Sequence, residues 1–267
     1  NAALYAMDKA SLEGWRAFKT PSDFGKDLFP AMLAAGARIA GYLSYEYVKD
    51  VGTPARLAKA AEQIGSGLVA RASRACKQKA VFLDRDGTVN VHRGFITAAD
   101  QITLYPGAAD AVRRLNEAEY RVVLVTNQPV IARGDVTFEG FRAIHATLET
   151  LLGAEGAFLD AVYFCPHHPD KGFPGEVKEL KIACTCRKPQ TRMIERAVSD
   201  LNIDLASSWM IGDATRDIET ARRAGIRSVL VRTGEGGRDR RYNAVANQDA
   251  ADLAAAVDGI LSSWGTK

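Results

Sequence analysis

The stretch VFLDRDGTVN (81–90) runs from a block of strand-forming residues straight into two carboxylates, Asp84 and Asp86, one residue apart. Acids that close repel each other and lose hydration when covered, so they belong either in a solvated turn or beside a counter-charge. The rest of the chain decides between these. Short apolar runs recur at AVFL (80–83), RVVLV (121–125), AVYF (161–164), WMI (209–211) and SVLV (228–231). Nearly continuous apolarity marks strands covered on both faces. Between the runs, GAADAVRRLNEA (107–118), FEGFRAIHATLETLL (138–152), PQTRMIERAVSDL (189–201) and ETARRAG (219–225) carry helical periodicity, the last stopped by Gly225. Strand and helix in alternation predict an α/β fold on a doubly wound parallel sheet.

Ligands of such sheets sit beyond the carboxyl ends of the strands. The residues there are Asp84 and Asp86, then Thr126 and Asn127, then Cys165 and His167, then Asp213 and Asp217. A random draw of loop residues is a poor account of so many carboxylates, hydroxyls, amides and metal-ligand types. Asp84, Asp86 and Asp213 suit a shared Mg²⁺, whose charge would cancel their repulsion. One carboxylate is then placed to attack phosphorus while another exchanges protons with the leaving oxygen and with water. Gly87 and Thr88 are expected to turn backbone N–H groups toward an anion, and Thr126 and Lys188 to hold phosphoryl oxygens. Pro189 is expected at the first position of a helix, which would put Lys188 at an anion-friendly helix N-terminus.

Four motifs in order resemble the haloacid dehalogenase superfamily of phosphohydrolases: DRDGT from Asp84 to Thr88, VTN at Thr126, Lys188 ahead of a helix, and GDATRD with Asp213 and Asp217. The resemblance covers Ala80 to the C-terminus. It implies Asp84 as the nucleophile that becomes an aspartyl phosphate and Asp86 as general acid/base. It also implies Mg²⁺ held by Asp84, the backbone carbonyl of Asp86, and Asp213, with Asp217 in support. Ala214 stands where the family often has lysine, and Pro129 and Val130 where it has small residues.

CPHHPD (165–170) and CTCRKP (184–189) gather Cys165, His167, Cys184 and Cys186, three of the chain's four cysteines, in one loop. Three thiolates and an imidazole make a closed tetrahedral set for a structural Zn²⁺. The zinc staple is expected to order the loop leading into Arg187 and Lys188. Zinc-loop members of the superfamily that act on heptose bisphosphate or on histidinol phosphate resemble this arrangement. The long segment HPDKGFPGEVKELKIA (168–183) favours the heptose group, and so does TNQPVIARG (126–134). The expected activity is hydrolysis of the C7 phosphate of D-glycero-D-manno-heptose 1,7-bisphosphate, with histidinol phosphate as the alternative substrate. A zinc-stapled binding module without turnover is the reading from another class. Arg133 and Arg187 are expected to bind the sugar phosphate through guanidinium contacts, with Asn127 and His92 also at the substrate.

The chain has 267 residues, 47% of them hydrophobic, enough for one large domain or two modest ones. Its 35 basic and 32 acidic residues are interspersed rather than blocked, which argues against nucleic acid as partner. No apolar stretch approaches the roughly 20 residues of a membrane span, and no signal peptide opens the chain, so a cytoplasmic enzyme of a small sugar phosphate is expected. NAALYAM (1–7) reads as a strand entered midway, the start of a fragment of a longer polypeptide. Residues 1–72 are expected to form a smaller α/β unit, 73–79 a linker, and 80–267 the phosphatase domain. SDFGKDLFPAMLAAG (22–36) and GYLSYEYVKDVGTP (41–54) resemble the C-terminal part of sugar-1-phosphate nucleotidyltransferases, in which an acid at the position of Asp50 helps bind metal. Locally, Thr53 reads as a helix cap and Pro54 as the first helical residue.

Overall fold

The structure, a computed structural model, describes residues 4–41, 46–172 and 174–262. The chain divides into two compact units, Asn1–Ser73 and Arg74–Lys267. The described part of the first unit holds a 3-10 helix at Lys9–Trp15, a π-helical turn at Phe24–Leu28 that runs into α1 (Phe29–Ala34), then α2 (Pro54–Gly65) and α3 (Leu68–Arg71). No strand occurs among its described residues, which corrects the expected α/β character. The strand expected at NAALYAM falls partly outside the described residues, and Leu4 to Met7 are irregular chain. An extended run with no neighbour to share its ladder hydrogen bonds is not stable by itself. Thr53 does cap α2, accepting from the Arg56 N–H, with Pro54 at the first helical position. Asp50 accepts from Gly52 N–H at 2.9 Å and pairs with Arg56, so its carboxylate serves the entry to α2.

In the second unit the strands are β1 (Ala80–Leu83), β2 (Arg121–Asn127), β3 (Ala161–Cys165), β4 (Trp209–Gly212), β5 (Arg227–Val231) and β6 (Gln248–Ala250). Among the described residues they form one parallel sheet of order β3-β2-β1-β4-β5-β6. The helices are α4 (Ala108–Glu117), α5 (Pro129–Ala132), α6 (Phe138–Ala154), α7 (Arg192–Leu201), α8 (Thr215–Ala224) and α9 (Leu253–Ser262). Val81, Leu83, Val122, Leu124, Ile211 and Val229 share one core with the buried faces of α4, α6 and α9. α7 packs on β2 and β3, and α8 on β4 and β5. Burying each large aliphatic side chain is worth roughly 1.5–3 kcal/mol, so this double cover is what drives the unit to fold. No helix among the described residues is long and apolar enough to cross a membrane.

Of residues 73–79, expected as a linker, Ser73 closes the first unit and the rest are tied to the second. Gln78 exchanges backbone hydrogen bonds with Asn202 and Asp204 (2.9 and 2.8 Å), and the Asn202 side-chain amide donates to the carbonyls of Arg74 and Cys76. The entry to β1 depends on one hydroxyl: the fully buried Ser208 accepts from Ala80 N–H at 3.0 Å and donates to the Asp204 carbonyl at 2.6 Å. Ser208→Ala leaves that buried N–H without a partner, and the expected loss of stability is about 1–3 kcal/mol, read as a lowered urea midpoint at unchanged slope.

Candidate active site

β1 and β4 are neighbours, but the chain leaves β1 toward β2 and β4 toward β5. Their exit loops diverge and open a crevice at the carboxyl edge, the usual ligand position of a doubly wound sheet. Asp84 prolongs β1, its N–H donating to Ile211 across the sheet. The loop then closes tightly, with the Arg85 carbonyl accepting from Thr88, Val89 and Asn90, and Gly87 N–H donating to Asn90 at 2.8 Å. The N–H groups of Gly87 and Thr88 are therefore spent inside the loop and do not face an anion, contrary to expectation. Gly87 has a different task. Its φ is 88°, in the left-handed region, and a Cβ there would lie 2.1 Å from Asp213 Oδ2.

Asp213 leaves the end of β4 and Asp217 stands in the first turn of α8. Gly212 makes room for the latter, since a Cβ at Gly212 would meet Asp217 Cβ at 2.4 Å. One oxygen from each of Asp84, Asp213 and Asp217 lies within 4.8 Å of the others, and all three residues are buried. Lys188 joins them, its Nζ 2.9 Å from Asp84 Oδ1 and 2.7 Å from Asp217 Oδ1. Lys188 is not at a helix N-terminus. Pro189 lies in a turn closed by Gln190 N–H to the Arg187 carbonyl, and α7 begins only at Arg192. Instead the Asn127 amide grips Lys188 on both sides, donating to its carbonyl at 3.1 Å and accepting from its N–H at 2.9 Å. Asn127, expected at the substrate, has its side chain committed to this task.

The two acids of the DRD motif are driven in opposite directions. Burial pushes the Asp84 carboxyl up, against the charge of Lys188. Burial acts on Asp86 too, but the charge and hydrogen bonds of Arg85, with donors from Asn90 and Gln128, outweigh it and hold the carboxyl below the usual range. Arg85 is itself almost wholly buried and grips Asp86 with two parallel bonds of 3.1 and 2.8 Å. Burial and the neighbouring charges of Asp217 and Asp84 push Asp213 up to about 8. Its Oδ2 accepts from Glu235 N–H at 2.6 Å, while its buried Oδ1 has no hydrogen-bond partner. A hard cation fits this donor set, because all the free valences are oxygen and a positive charge would relieve the repulsion.

Thr126 is buried at the end of β2, and its hydroxyl accepts from Gln128, whose amide also donates to Asp86 at 3.1 Å. Arg85 and Gln128 are the site residues that motif spacing misses. Gln128 carries one signal, since it follows Thr126 by two positions at a strand end and so shares its face. Among the outer residues, Arg133 pairs with Asp135 and stacks over Phe95, Arg187 donates to the His167 carbonyl, and His92 is exposed in the loop after Asn90.

Cys165, His167, Cys184 and Cys186 come together as a second group, with donor atoms also within 4.8 Å of one another. Cys186 Sγ is 3.2 Å from Cys165 Sγ, 3.4 Å from Cys184 Sγ and 3.3 Å from His167 Nδ1. Zinc–sulfur bonds of about 2.3 Å put the corners of a tetrahedron about 3.8 Å apart, so the set needs only a slight expansion to take the ion. The hydrogen bond between Cys165 and Cys186 holds the Cys186 thiol down to about 5 and pushes Cys165 up.

Residues 185–256 match the HAD-hydrolase-like family. The D-glycero-beta-D-manno-heptose-1,7-bisphosphate 7-phosphatase of Yersinia pestis is 46% identical over 157 residues, 58% of this chain and 81% of that protein. The protein of the same name from Photorhabdus laumondii is 40% identical over 189 residues, 68% of this chain and 96% of that protein. The crystal structure of D,D-heptose 1,7-bisphosphate phosphatase from B. bronchiseptica, complexed with magnesium and phosphate, superposes with a TM-score of 0.61 at 34% identity. It covers 70% of this chain and 99% of that one. With its parallel sheet, its carboxylate crevice and this degree of identity, the chain belongs to the haloacid dehalogenase-like phosphatases, phosphoric monoester hydrolases, in the family that includes the heptose-bisphosphate enzymes.

Proposed function

We propose that the second unit is a Mg²⁺-dependent phosphatase that removes the C7 phosphate of D-glycero-D-manno-heptose 1,7-bisphosphate through an aspartyl-phosphate intermediate. The observation that carries the reading is the meeting of Asp84, Asp213 and Lys188 in the β1–β4 crevice, in a chain whose relatives are named for that reaction. Asp84, Asp213 and the Asp86 carbonyl would hold the ion, with Asp217 in support. When bound, the ion supplies the positive charge that lets the carboxylates face a phosphate. Lys188, buried but held charged by Asp217 and Asp84, adds its own charge beside the phosphoryl oxygens.

Asp84 attacks phosphorus, forming an Asp–O–P bond as the bond to the C7 oxygen breaks. Asp86 gives its proton to that oxygen. In the resting protein Arg85 keeps Asp86 ionised, and an arriving phosphate pushes its proton affinity up by repulsion, so the proton enters with the substrate. Asp86 then takes a proton from water, which attacks phosphorus and releases phosphate and Asp84. Gln128, anchored on the Thr126 hydroxyl, holds Asp86 in place. The same proposal makes the Cys165, His167, Cys184 and Cys186 set a structural zinc site. It also keeps residues 1–72 as kin to the C-terminal part of a sugar-1-phosphate nucleotidyltransferase, a neighbouring step in nucleotide-heptose synthesis.

Phosphate release with Mg²⁺ from the α and β anomers of heptose 1,7-bisphosphate, with histidinol phosphate alongside, tests the reading. Turnover of the β anomer, the one in the relatives' names, is expected to exceed that of histidinol phosphate by at least 100-fold. Asp84→Asn is expected to keep its circular dichroism spectrum and lose all turnover. Full activity in that variant, or preference for histidinol phosphate, sinks the assignment. Elemental analysis is expected to find one zinc per chain, and Cys186→Ala to lose it with a fall in melting temperature. An unchanged melting temperature after zinc chelation would remove the structural role.

A further inference from the structure

Beside the crevice stands a cation whose guanidinium Nε has no hydrogen-bond partner among the described residues. Arg216 is the second residue of α8, between Asp213 and Asp217 in sequence. Its Nε is sealed from solvent and has no hydrogen-bond partner. Burial works against its charge, but Asp217, Asp84, Asp213 and Asp239 surround it closely enough to hold its proton more tightly than an ordinary guanidinium.

Each of these acids is already engaged. Lys188 pairs with Asp84 and Asp217. Asp239 accepts from the Thr215 N–H and hydroxyl, both at 2.8 Å. Asp213 accepts from Glu235 N–H and keeps its other oxygen for a cation. The side chain next to Asp213 is the buried, neutral Ala214, and Arg216 is the cation that the first turn of α8 places beside Asp217. Arg187, which donates to the His167 carbonyl, is near enough for the two cations to repel. A partly buried guanidinium whose sealed Nε has no partner carries a free donor that an anion would satisfy.

We propose that Arg216 is a substrate-binding residue of the phosphoryl site, donating to oxygens of the transferring phosphate opposite Lys188. This rests on the phosphatase reading of the Asp84 crevice. Charge balance gives the reason for it. With the divalent ion bound, Asp84, Asp213 and Asp217 against Lys188 and Arg216 leave the site one positive charge, matched to a phosphate in its ionised forms. Without Arg216 the same site is neutral before the phosphate enters. A planar guanidinium binds phosphate oxygens in pairs, so its removal costs more than that of a point charge.

The test measures inorganic phosphate binding to the Mg²⁺-loaded protein by titration calorimetry, and kcat/KM for the heptose bisphosphate, in wild type, Arg216→Gln and Arg216→Lys. Arg216→Gln is expected to weaken phosphate binding and lower kcat/KM by about 10- to 100-fold, the range of a hydrogen-bonded charge pair. Arg216→Lys is expected to recover part of both. Half-saturation by Mg²⁺ should stay the same or tighten, because a competing positive charge has gone. Phosphate binding unchanged within twofold overturns the inference, and so does a loss of phosphate affinity matched by an equal loss of Mg²⁺ affinity. If the wild type binds phosphate through Arg216 but turns over no heptose bisphosphate, the substrate assignment fails and the phosphate-binding role stands.

Discussion

Three buried carboxylates within reach of one another are the constraint around which the second unit is built. Taking even one carboxylate out of water costs several kcal/mol unless it is paired, and like charges add to the cost. Lys188 answers two of the three with ion pairs below 3 Å, and much of the surrounding structure serves to keep it there. Asn127 clamps its backbone from the end of β2. The cysteine–histidine knot ends two residues before it. The close approach on the other side is a matter of missing atoms: Gly87 and Gly212 each occupy a place where a Cβ would collide with an aspartate.

The same tightness separates the two acids of the DRD motif. Successive side chains at a strand end point to opposite sides, so Arg85 turns away from Asp84 and is buried, yet reaches round to grip Asp86. Asp84 is left buried beside Lys188, its ion-pair partner. Asp86 is held by Arg85, Asn90 and Gln128, all hydrogen-bond donors, in a fixed orientation. Two carboxylates two positions apart thus acquire different proton affinities from different surroundings, which is how one loop can supply both a nucleophile and a proton carrier.

Periodicity made the sheet legible because its central strands are covered on both faces, and burial leaves a continuous apolar signature in the sequence. β6 left none. Gln248–Ala250 is a short polar edge strand held by its ladder to β5, too brief to show an alternating pattern of its own. The motif residues were legible for a related reason: Asp84, Thr126 and Asp213 must stand at strand ends, and strand ends can be counted. Lys188 was legible as a residue but not as a position, since its placement depends on an amide 61 residues away in sequence. Arg85 and Gln128 were not legible as site residues, because their value lies wholly in a partner that only the fold supplies.

The long segment after Cys165 is held in place by backbone contacts of its own. It does not hang free: Val177 N–H donates to the Ala132 carbonyl at 3.0 Å, and Gly134 lies so close to Gly175 that a Cβ would fall 1.9 Å from the Gly175 carbonyl oxygen. The segment is therefore braced at one end by the knot and along its length by the turn after α5. It carries His168 and Lys181 toward Arg187 and Arg133. Burial, and then those neighbouring cations, hold the His168 imidazole below its usual proton affinity, while Arg133 and Lys181 keep carboxylate partners in Asp135 and Glu176. The strand ends fix the reacting groups at the bottom of the crevice, where tolerance for movement is least. The braced segment is held by its own backbone contacts to the turn after α5, so its length and charge can vary without disturbing the carboxylates.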